Sequence, residues 1–431
     1  MFQSLFKKIV TTILIWESRI ILKRKKPIII GITGSVGKTS TKDAVYAVLK
    51  DSVHVRKSEK SYNSSIGVTL TILGIRNAWS SPWLWAKALF DGAMNAFFVR
   101  EYPDVLILEL GVDRPGDMKV LTDFIKPDIV VLTRLPDMPS HIEYFSSPAE
   151  VCEEKFALVR ALKPKGVFIY NNDDEKIRSY VQEVRQQSIG FSRYSPSQFT
   201  ASGDKILYDG SLPNGIEFTI THVNEEVRVM LHGTVGVQNA YNYAAAMAVG
   251  SQFDVSLQDA AIALNKFSSP QGRMKIIQGK NKTLIIDDTY NSSPAASERA
   301  LQTLKELVGV KRKIAVLGDM LELGHFSVRE HERVGIHVAE SADLLFTIGL
   351  RAQKIAESAL DHGMSEKNIF QYDSTERLSE ELSAMLQEGD IILIKGSQSI
   401  RAERITKSIM ASPDKAGKLL VRQDEAWLNK P

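Results

Sequence analysis

The stretch GITGSVGKTSTKD, residues 31–43, decides the fold. The strand-like run Pro27-Ile28-Ile29-Ile30 precedes it, and Val45, Val48 and Leu49 follow at helical spacing. Strand, glycine-rich turn, Lys-Thr and helix form the layout of a phosphate-cradling loop. Glycines let successive backbone N–H groups turn toward an anion, and the helix adds its positive dipole end. Gly34, Ser35, Val36 and Gly37 would supply that cradle, with Ser40 in the first helical turn. Lys38 would reach the outer phosphates, and the Thr39 hydroxyl would hold a magnesium ion. The strict G-x-x-x-x-G-K form would need glycine at Ile32, whereas the glycines stand at Gly31, Gly34 and Gly37. An ordinary strand-to-helix turn would leave the Lys38-Thr39-Ser40 run unexplained.

The bulk properties narrow the class. A chain of 431 residues is long enough for two or three domains. With 44% apolar and 24% charged residues, its composition is that of a globular protein. The single cysteine, Cys152, excludes an internal disulfide and fits a reducing, cytoplasmic compartment. A net charge of +3 argues against a nucleic-acid partner.

Residues 1–27 read as a basic amphipathic segment. Its apolar stretch, Ile9 to Leu22, is about 14 residues long and interrupted by Glu17 and Arg19, short of the roughly 20 that span a bilayer. Phe6, Ile9, Ile13, Trp16 and Ile20 share one helical face, flanked by Lys7, Lys8 and the basic run Lys23 to Lys26. Residues 1–26 therefore predict either peripheral contact with the inner face of the cell membrane or a helix packed on the first domain. Trp79, Trp83 and Trp85 cluster in residues 77–98, which reads either as a surface helix capping the core or as a second lipid-facing patch.

Continuously apolar runs, VLILEL (105–110), IVVLT (129–133) and VFIY (167–170), predict buried parallel strands between helices. Residues 200–232 alternate and carry turn residues, which predicts an inserted antiparallel patch. A break falls at Ser268-Ser269-Pro270-Gln271-Gly272, and a second strand series follows: TLIIDD (283–288), KIAVLGD (313–319), LLFTIG (344–349) and IILIKG (391–396). The expected class is α/β: a central doubly wound P-loop ATPase domain, 28–268, a second Rossmann-like domain, 269–412, and a tail, 413–431. Nucleotide and substrate would sit in a cleft between the two domains.

Glu109, leaving the carboxyl end of its strand beside the phosphate loop, suits magnesium, which takes hard oxygen ligands. A strand-end acid that caps a neighbour is the bland alternative. His141 lies in a loop, where a lone histidine is more often structural or solvated. Lys155, within EVCEEKFALV, reads from its spacing as part of a solvated face paired with Glu150, Glu153 and Glu154. Arg273, just after the break, is placed to reach phosphates across a cleft. Asp287, Asp288 and Asn291 end one strand and could bind metal, a ribose hydroxyl or an amine. Lys395-Gly396-Ser397 suits an anion.

Taken in order, these pieces resemble the Mur ligase family, most closely the branch that adds D-alanyl-D-alanine to a muramoyl tripeptide. The resemblance runs from Ile28 to about Ile409 and rests on GITGSVGKTST, the Tyr62-Asn63-Ser64-Ser65-Ile66-Gly67-Val68 loop, LELG (108–111), His141-Ile142-Glu143, Lys155 and GVQNAYNYAAA (236–246). It continues with Gly272-Arg273-Met274, DDTYNSSP (287–294), VLGDMLELG (316–324), His331 and Lys395-Gly396-Ser397. The resemblance implies a peptide-bond-forming ligase of peptidoglycan precursor synthesis that uses ATP and Mg²⁺. The acceptor carboxylate takes the γ-phosphoryl group, and an amine displaces phosphate from the resulting acyl phosphate. It further implies two magnesium sites, one on Thr39 and Glu109 and one on His141 and a carbamylated Lys155. Lys38, Asn242, Arg273 and Asp288 would contact the nucleotide. Asn63, Ser64, Asn291, Asp319, Glu322 and Lys395 would face the substrate.

Two departures bear on the acceptor. The family carries a longer N-terminal domain for the uridine diphosphate, whereas 27 residues precede Ile28 here, and Arg134 stands where asparagine is usual. The acceptor would be the usual nucleotide-sugar peptide held with less contact, or a different one, such as a poly-amino acid or a lipid-linked muropeptide. A non-catalytic nucleotide-dependent membrane scaffold would leave Glu109, His141 and Lys155 without purpose.

Overall fold

A computed structural model describes residues 2–59, 62–78 and 81–428. Trp79, part of the expected tryptophan cluster, lies outside them. The first sheet has nine strands: β1 (Ile28–Thr33), β2 (Val55–Lys57), β3 (Val105–Glu109), β4 (Ile129–Leu132), β5 (Val167–Asn171), β6 (Gln187–Ser192), β7 (Phe199–Asp209), β8 (Leu212–His222) and β9 (Glu225–His232). Their spatial order is β2-β3-β1-β4-β5-β6-β7-β8-β9. Pairing is parallel from β2 through to β7, then antiparallel to β9.

The expected parallel strands are buried along their whole length in β3 and β4, because helices cover both faces of this part of the sheet. The alternating strands obey the other rule: β9 shows one buried and one exposed side. The expected antiparallel patch is no separate insert, however. β7 pairs with β6 at Phe191–Phe199, so the patch extends the central sheet.

The second sheet is formed by β10 (Lys275–Gln278), β11 (Leu284–Asp288), β12 (Arg312–Gly318), β13 (Leu344–Ile348), β14 (Ile369–Tyr372) and β15 (Asp390–Lys395), in the order β10-β11-β15-β12-β13-β14. Only the β10–β11 pairing is antiparallel. The short edge strands β10 and β14 add to the four strands expected from the sequence. The two sheets meet where residues 233–235 run beside the start of β10. Ile276 N donates to Gly233 O at 2.9 Å, and the Thr234 hydroxyl donates to Met274 O at 3.0 Å.

Of the first four helices, α1 (Phe2–Lys25) and α4 (Pro82–Phe98) pack on each other and on α3 (Ser65–Leu73), whereas α2 (Lys38–Leu49) follows the phosphate loop. α1 is anchored by Val10, Leu14 and Ile21, none more than 2% exposed, each contributing about 1.5–3 kcal/mol by burial. The face predicted to be apolar thus points outward: Ile9 and Trp16 are 51% and 53% exposed.

Between α1 and α4 lies a buried carboxyl. Glu17 is 2% exposed and its Oε2 has no hydrogen-bond partner among the described residues. It faces Gly92, where a Cβ would come within 2.2 Å of that oxygen and would push the carboxyl aside. Burial raises the carboxyl to about 7. The neutral acid is favoured in the fold, so this contribution to stability is complete below the ordinary value of 4.5 and is lost as pH rises through about 7. Glu17→Gln is expected to remove that part of the pH dependence. Relative to wild type, the variant should gain several degrees of melting temperature on going from about pH 5 to about pH 8. Parallel melting curves for the two proteins would count against the assignment.

Candidate active site

β1 delivers the chain into a turn in which Gly34 has φ +137° and Gly37 has φ +90°. A Cβ at Gly34 would lie 2.1 Å from Thr133 Oγ1, and one at Gly37 3.0 Å from Asn242 Oδ1. Gly34 therefore needs glycine for conformation and for space, and Gly37 for its conformation. The turn is tied down from outside. Ser35 N donates to Arg134 O at 2.8 Å, the Thr133 hydroxyl donates to Val36 O at 2.7 Å, and the Thr41 hydroxyl donates to Asn242 Oδ1 at 3.1 Å. α2 then starts at Lys38, whose ammonium folds back onto Gly34 O at 2.9 Å. Burial pulls the Lys38 ammonium below its usual value, with Glu109 opposing.

Thr39 donates to Glu109 Oε1 at 3.1 Å. The other carboxylate oxygen, Oε2, is buried with no hydrogen-bond partner among the described residues, 3.7 Å from the Lys42 ammonium. A hydroxyl and a half-satisfied buried carboxylate beside a phosphate loop form a hard-oxygen donor set that fits a magnesium ion. Among the described residues no group of three His, Cys, Asp or Glu is gathered for a metal. An ion at Thr39 and Glu109 would thus take its remaining ligands from nucleotide phosphates and water, as magnesium commonly does.

These groups open into a cleft of about 540 Å³ between the two sheets. Residues 35–39, Asn63, Glu109 and His141 line one side, and Arg273, Asn291 and Glu322 the other. Tyr290, from the DDTYNSSP run, also lines it, as do Asp113 and Trp427, which the sequence did not single out. Arg273 stacks on Tyr290 with its guanidinium carbon 4.1 Å from the ring centroid, and its Nε is buried without a partner among the described residues. Trp427 reaches the cleft because Arg422 grips the carbonyls of Thr289 and Tyr290 and the carboxylate of Glu403. The tail is therefore part of the wall.

The two sides touch across the cleft. His141 Nδ1 lies 2.6 Å from Glu322 Oε2, and Glu143 N donates to Glu322 O at 3.2 Å. His141 holds the Glu322 carboxyl below its usual value. Both residues have left-handed backbone, φ +67° and +63°, a conformation costing about 1–2 kcal/mol for residues with a Cβ. The Glu322 loop is braced by buried His331, whose Nε2 accepts from Met320 N at 3.0 Å.

Lys155 departs from the spacing-based expectation. It is 2% exposed rather than solvated, on the inner face of the helix Pro148–Arg160 with Cys152 and Phe156. Burial, and then the charge of Lys38, lowers its ammonium to about 7.

Other expected site residues sit outside the cleft lining. Gly34 and Ser40 back the phosphate loop. Ser64 caps α3, 3.5 Å from Gly67 N. Lys395 is buried and donates to Asp288 Oδ2 at 2.6 Å and to Asn291 O at 2.9 Å, so it holds the 287–294 loop in shape. Asp288 also accepts from Met274 N, and Asp319 accepts from Ala352 N at 2.7 Å. These three order the loops that carry Arg273, Asn291 and Glu322. Asn242 lines a second, small cavity of about 40 Å³ on the other side of Gly37, with Thr133, Arg134, Asn171 and Phe191.

A phosphate loop on a nine-stranded sheet, closed over by a second α/β unit carrying an arginine into the cleft, defines a two-domain P-loop nucleotide-binding protein. The Mur ligase middle domain matches residues 32–84 and 92–250, and the Mur ligase, glutamate ligase domain matches residues 272–398. The chain belongs to the Mur ligase family. It is 29% identical over 387 residues to UDP-N-acetylmuramoyl-tripeptide–D-alanyl-D-alanine ligase of Bacillus subtilis, covering 89% of this chain and 76% of that one. The enzyme of the same name from Mycobacterium tuberculosis H37Rv is 27% identical over 405 residues, 89% of this chain and 73% of that one. Among solved structures, MurF ligase from Thermotoga maritima in complex with ADP superposes with a TM-score of 0.75 at 22% identity, covering 94% of this chain and 84% of that one. Folylpolyglutamate synthase of Mycobacterium tuberculosis, complexed with ADP, gives 0.63 at 16% identity, covering 91% and 94%.

Proposed function

We propose that the protein is an ATP-dependent ligase that joins a carboxylate to an amine through an acyl phosphate, adding D-alanyl-D-alanine to a muramoyl tripeptide in peptidoglycan precursor synthesis. The observation that carries this reading is the convergence of Lys38, Thr39, Glu109, His141 and Arg273 on one cleft, in a chain that matches a muramoyl-tripeptide–D-alanyl-D-alanine ligase over 89% of its length. Residues 28–268 hold the nucleotide and residues 269–412 close over it. The loop amides and Lys38 bind and neutralise the phosphates, and Arg273, steadied on Tyr290, faces them from the far wall. Asn63 and Asn291, which both line the cleft, would orient the peptide. Thr39 and Glu109 would hold one magnesium ion, and His141 with a carbamylated Lys155 a second; the ions would supply charge neutralisation at the transferring phosphoryl group.

A second reading keeps this chemistry on a lipid-linked muropeptide at the inner face of the membrane. It is favoured by the exposed aromatic face of α1 and α4, which pack on α3, the helix directly following cleft residue Asn63. Phosphate release measured against muramoyl tripeptides, with and without D-alanyl-D-alanine, tests the proposal. Release that needs both partners, with the soluble nucleotide-linked tripeptide accepted, is the expected result. Release indifferent to carboxylate and amine would overturn the ligase reading, and turnover confined to lipid-linked peptides would favour the second.

A further inference from the structure

α1 and α4 present large side chains to solvent along one side of the molecule. On α1, Phe6, Ile9 and Trp16 are 39%, 51% and 53% exposed; on α4, Trp83, Phe90 and Phe97 are 86%, 65% and 42% exposed. The residues follow helical stripes: Ile9 and Trp16 are seven apart, as are Trp83 and Phe90, and Phe90 and Phe97. The two stripes join where the rings of Trp16 and Phe97 meet at 5.9 Å between centroids. Nothing among the described residues covers them, although α1 already buries Val10, Leu14 and Ile21 on its other face. An exposed apolar surface on this scale marks an interaction site.

Charge identifies the occupant. Lys7 and Lys8 flank Phe6 and Ile9, and Lys23 continues the Ile9–Trp16 stripe by a further seven residues. Lys87 lies in the Trp83–Phe90 stripe, and Arg100, next to the exposed Glu101, follows the end of α4. All five of these cations are exposed. The only acids on the two helices are Glu17, which is buried, and Asp91, which is partly so. Aromatic rings edged by lysines whose stems can lie along apolar surface match the boundary between acyl chains and anionic headgroups. A protein partner would have to be both apolar and acidic to match as well. No helix among the described residues is long and apolar enough to cross a membrane, so the face would lie on the bilayer rather than span it.

We propose that α1 and α4 together form a docking face that seats the protein on an anionic lipid bilayer. The proposal is independent of the ligase reading. Co-sedimentation of the full chain with vesicles of phosphatidylcholine, alone or with about 30% phosphatidylglycerol, tests it. Binding to the anionic vesicles is expected to be at least tenfold (~10×) stronger and to weaken at about 0.5 M salt. Trp16→Ser with Phe97→Ser should cut that binding about tenfold or more with an unchanged melting curve. Trp83→Ser alone, at the most exposed of these positions, should weaken it too and serves if the double variant unfolds. Lys7→Gln, Lys8→Gln and Lys23→Gln combined should abolish the preference for anionic vesicles. The proposal fails if the chain stays in the supernatant with both vesicle types, or if the aromatic variants bind like wild type. It fails equally if sedimentation velocity shows a dimer that the Trp16→Ser, Phe97→Ser pair dissociates, since a second copy would then cover the face.

Discussion

Lys155→Met is expected to lower ligase turnover by about a thousandfold or more while leaving the fold as stable as wild type or more so. The position of this lysine is costly. Lys155 is 2% exposed and makes no hydrogen bond or ion pair among the described residues, and burial together with Lys38 holds its ammonium down to about 7. A lysine kept for stability would be paired; this one sits beside another cation in a buried site, where a charge is costly. Methionine of similar length removes the cost and fills the space. On the proposed reading the neutral amine would add to carbon dioxide and lose a proton, and the carbamate would replace a repelling cation with an anionic oxygen ligand. The smaller Lys155→Ala leaves room for a substitute, so formate or acetate should restore part of its activity. Two measurements decide the matter: phosphate release with and without added carboxylate, and a melting curve. Near-normal turnover without any rescue would refute the carbamate role. Loss of turnover with a lowered melting temperature in Lys155→Met would make the residue structural.

Lys155 also shows how far the sequence could be read. Its three neighbouring glutamates suggested a solvated face, yet Val151, Cys152, Phe156 and Val159 place Lys155 squarely on the buried stripe of the same helix. The 3.6-residue period of these apolar positions outweighs the charge pairs. The phosphate loop was legible because its chemistry is local: Gly34 and Gly37 have backbone that few other residues adopt, and the hydroxyl-lysine pattern follows at once. Gly31, by contrast, serves packing. A Cβ there would meet Leu110 at 3.2 Å and Leu158 at 3.3 Å. The buried parallel strands were legible from unbroken apolar runs, whereas the joining of β7 to β6 and the short strands β10 and β14 depend on distant partners. The same holds for Trp427. Its place in the cleft is set by Arg422 reaching the carbonyls of Thr289 and Tyr290 more than a hundred positions earlier, and no local pattern announces that. The outward stripe of α1 was visible as an amphipathic face, but which face meets the protein is decided by α3 and α4.

Glu109→Gln should reduce turnover by about 10²–10³ and raise the magnesium concentration needed for half-maximal rate, without abolishing binding of metal-free ADP. The substitution keeps shape and volume in a residue that is 1% exposed. It exchanges the unbonded oxygen Oε2, the atom best placed to accept a cation, for either a neutral oxygen or an amide nitrogen. Thr39, 3.1 Å from Oε1, can still donate to the amide oxygen, so the start of α2 and the cradle of loop amides should persist. One competing account is that Glu109 only balances Lys42, which lies 3.7 Å from it and 3.7 Å from Asp43. Lys42→Met separates the two. If charge balance were the whole role, Lys42→Met would relieve Glu109→Gln, and the double variant would recover activity. If Glu109 holds the metal, Lys42→Met leaves the magnesium requirement of the single Glu109→Gln variant unchanged. A titration of phosphate release against magnesium for the three variants distinguishes these outcomes. An unaltered magnesium dependence in Glu109→Gln would remove this carboxylate from the metal site, leaving the phosphates to Lys38, Arg273 and the loop amides.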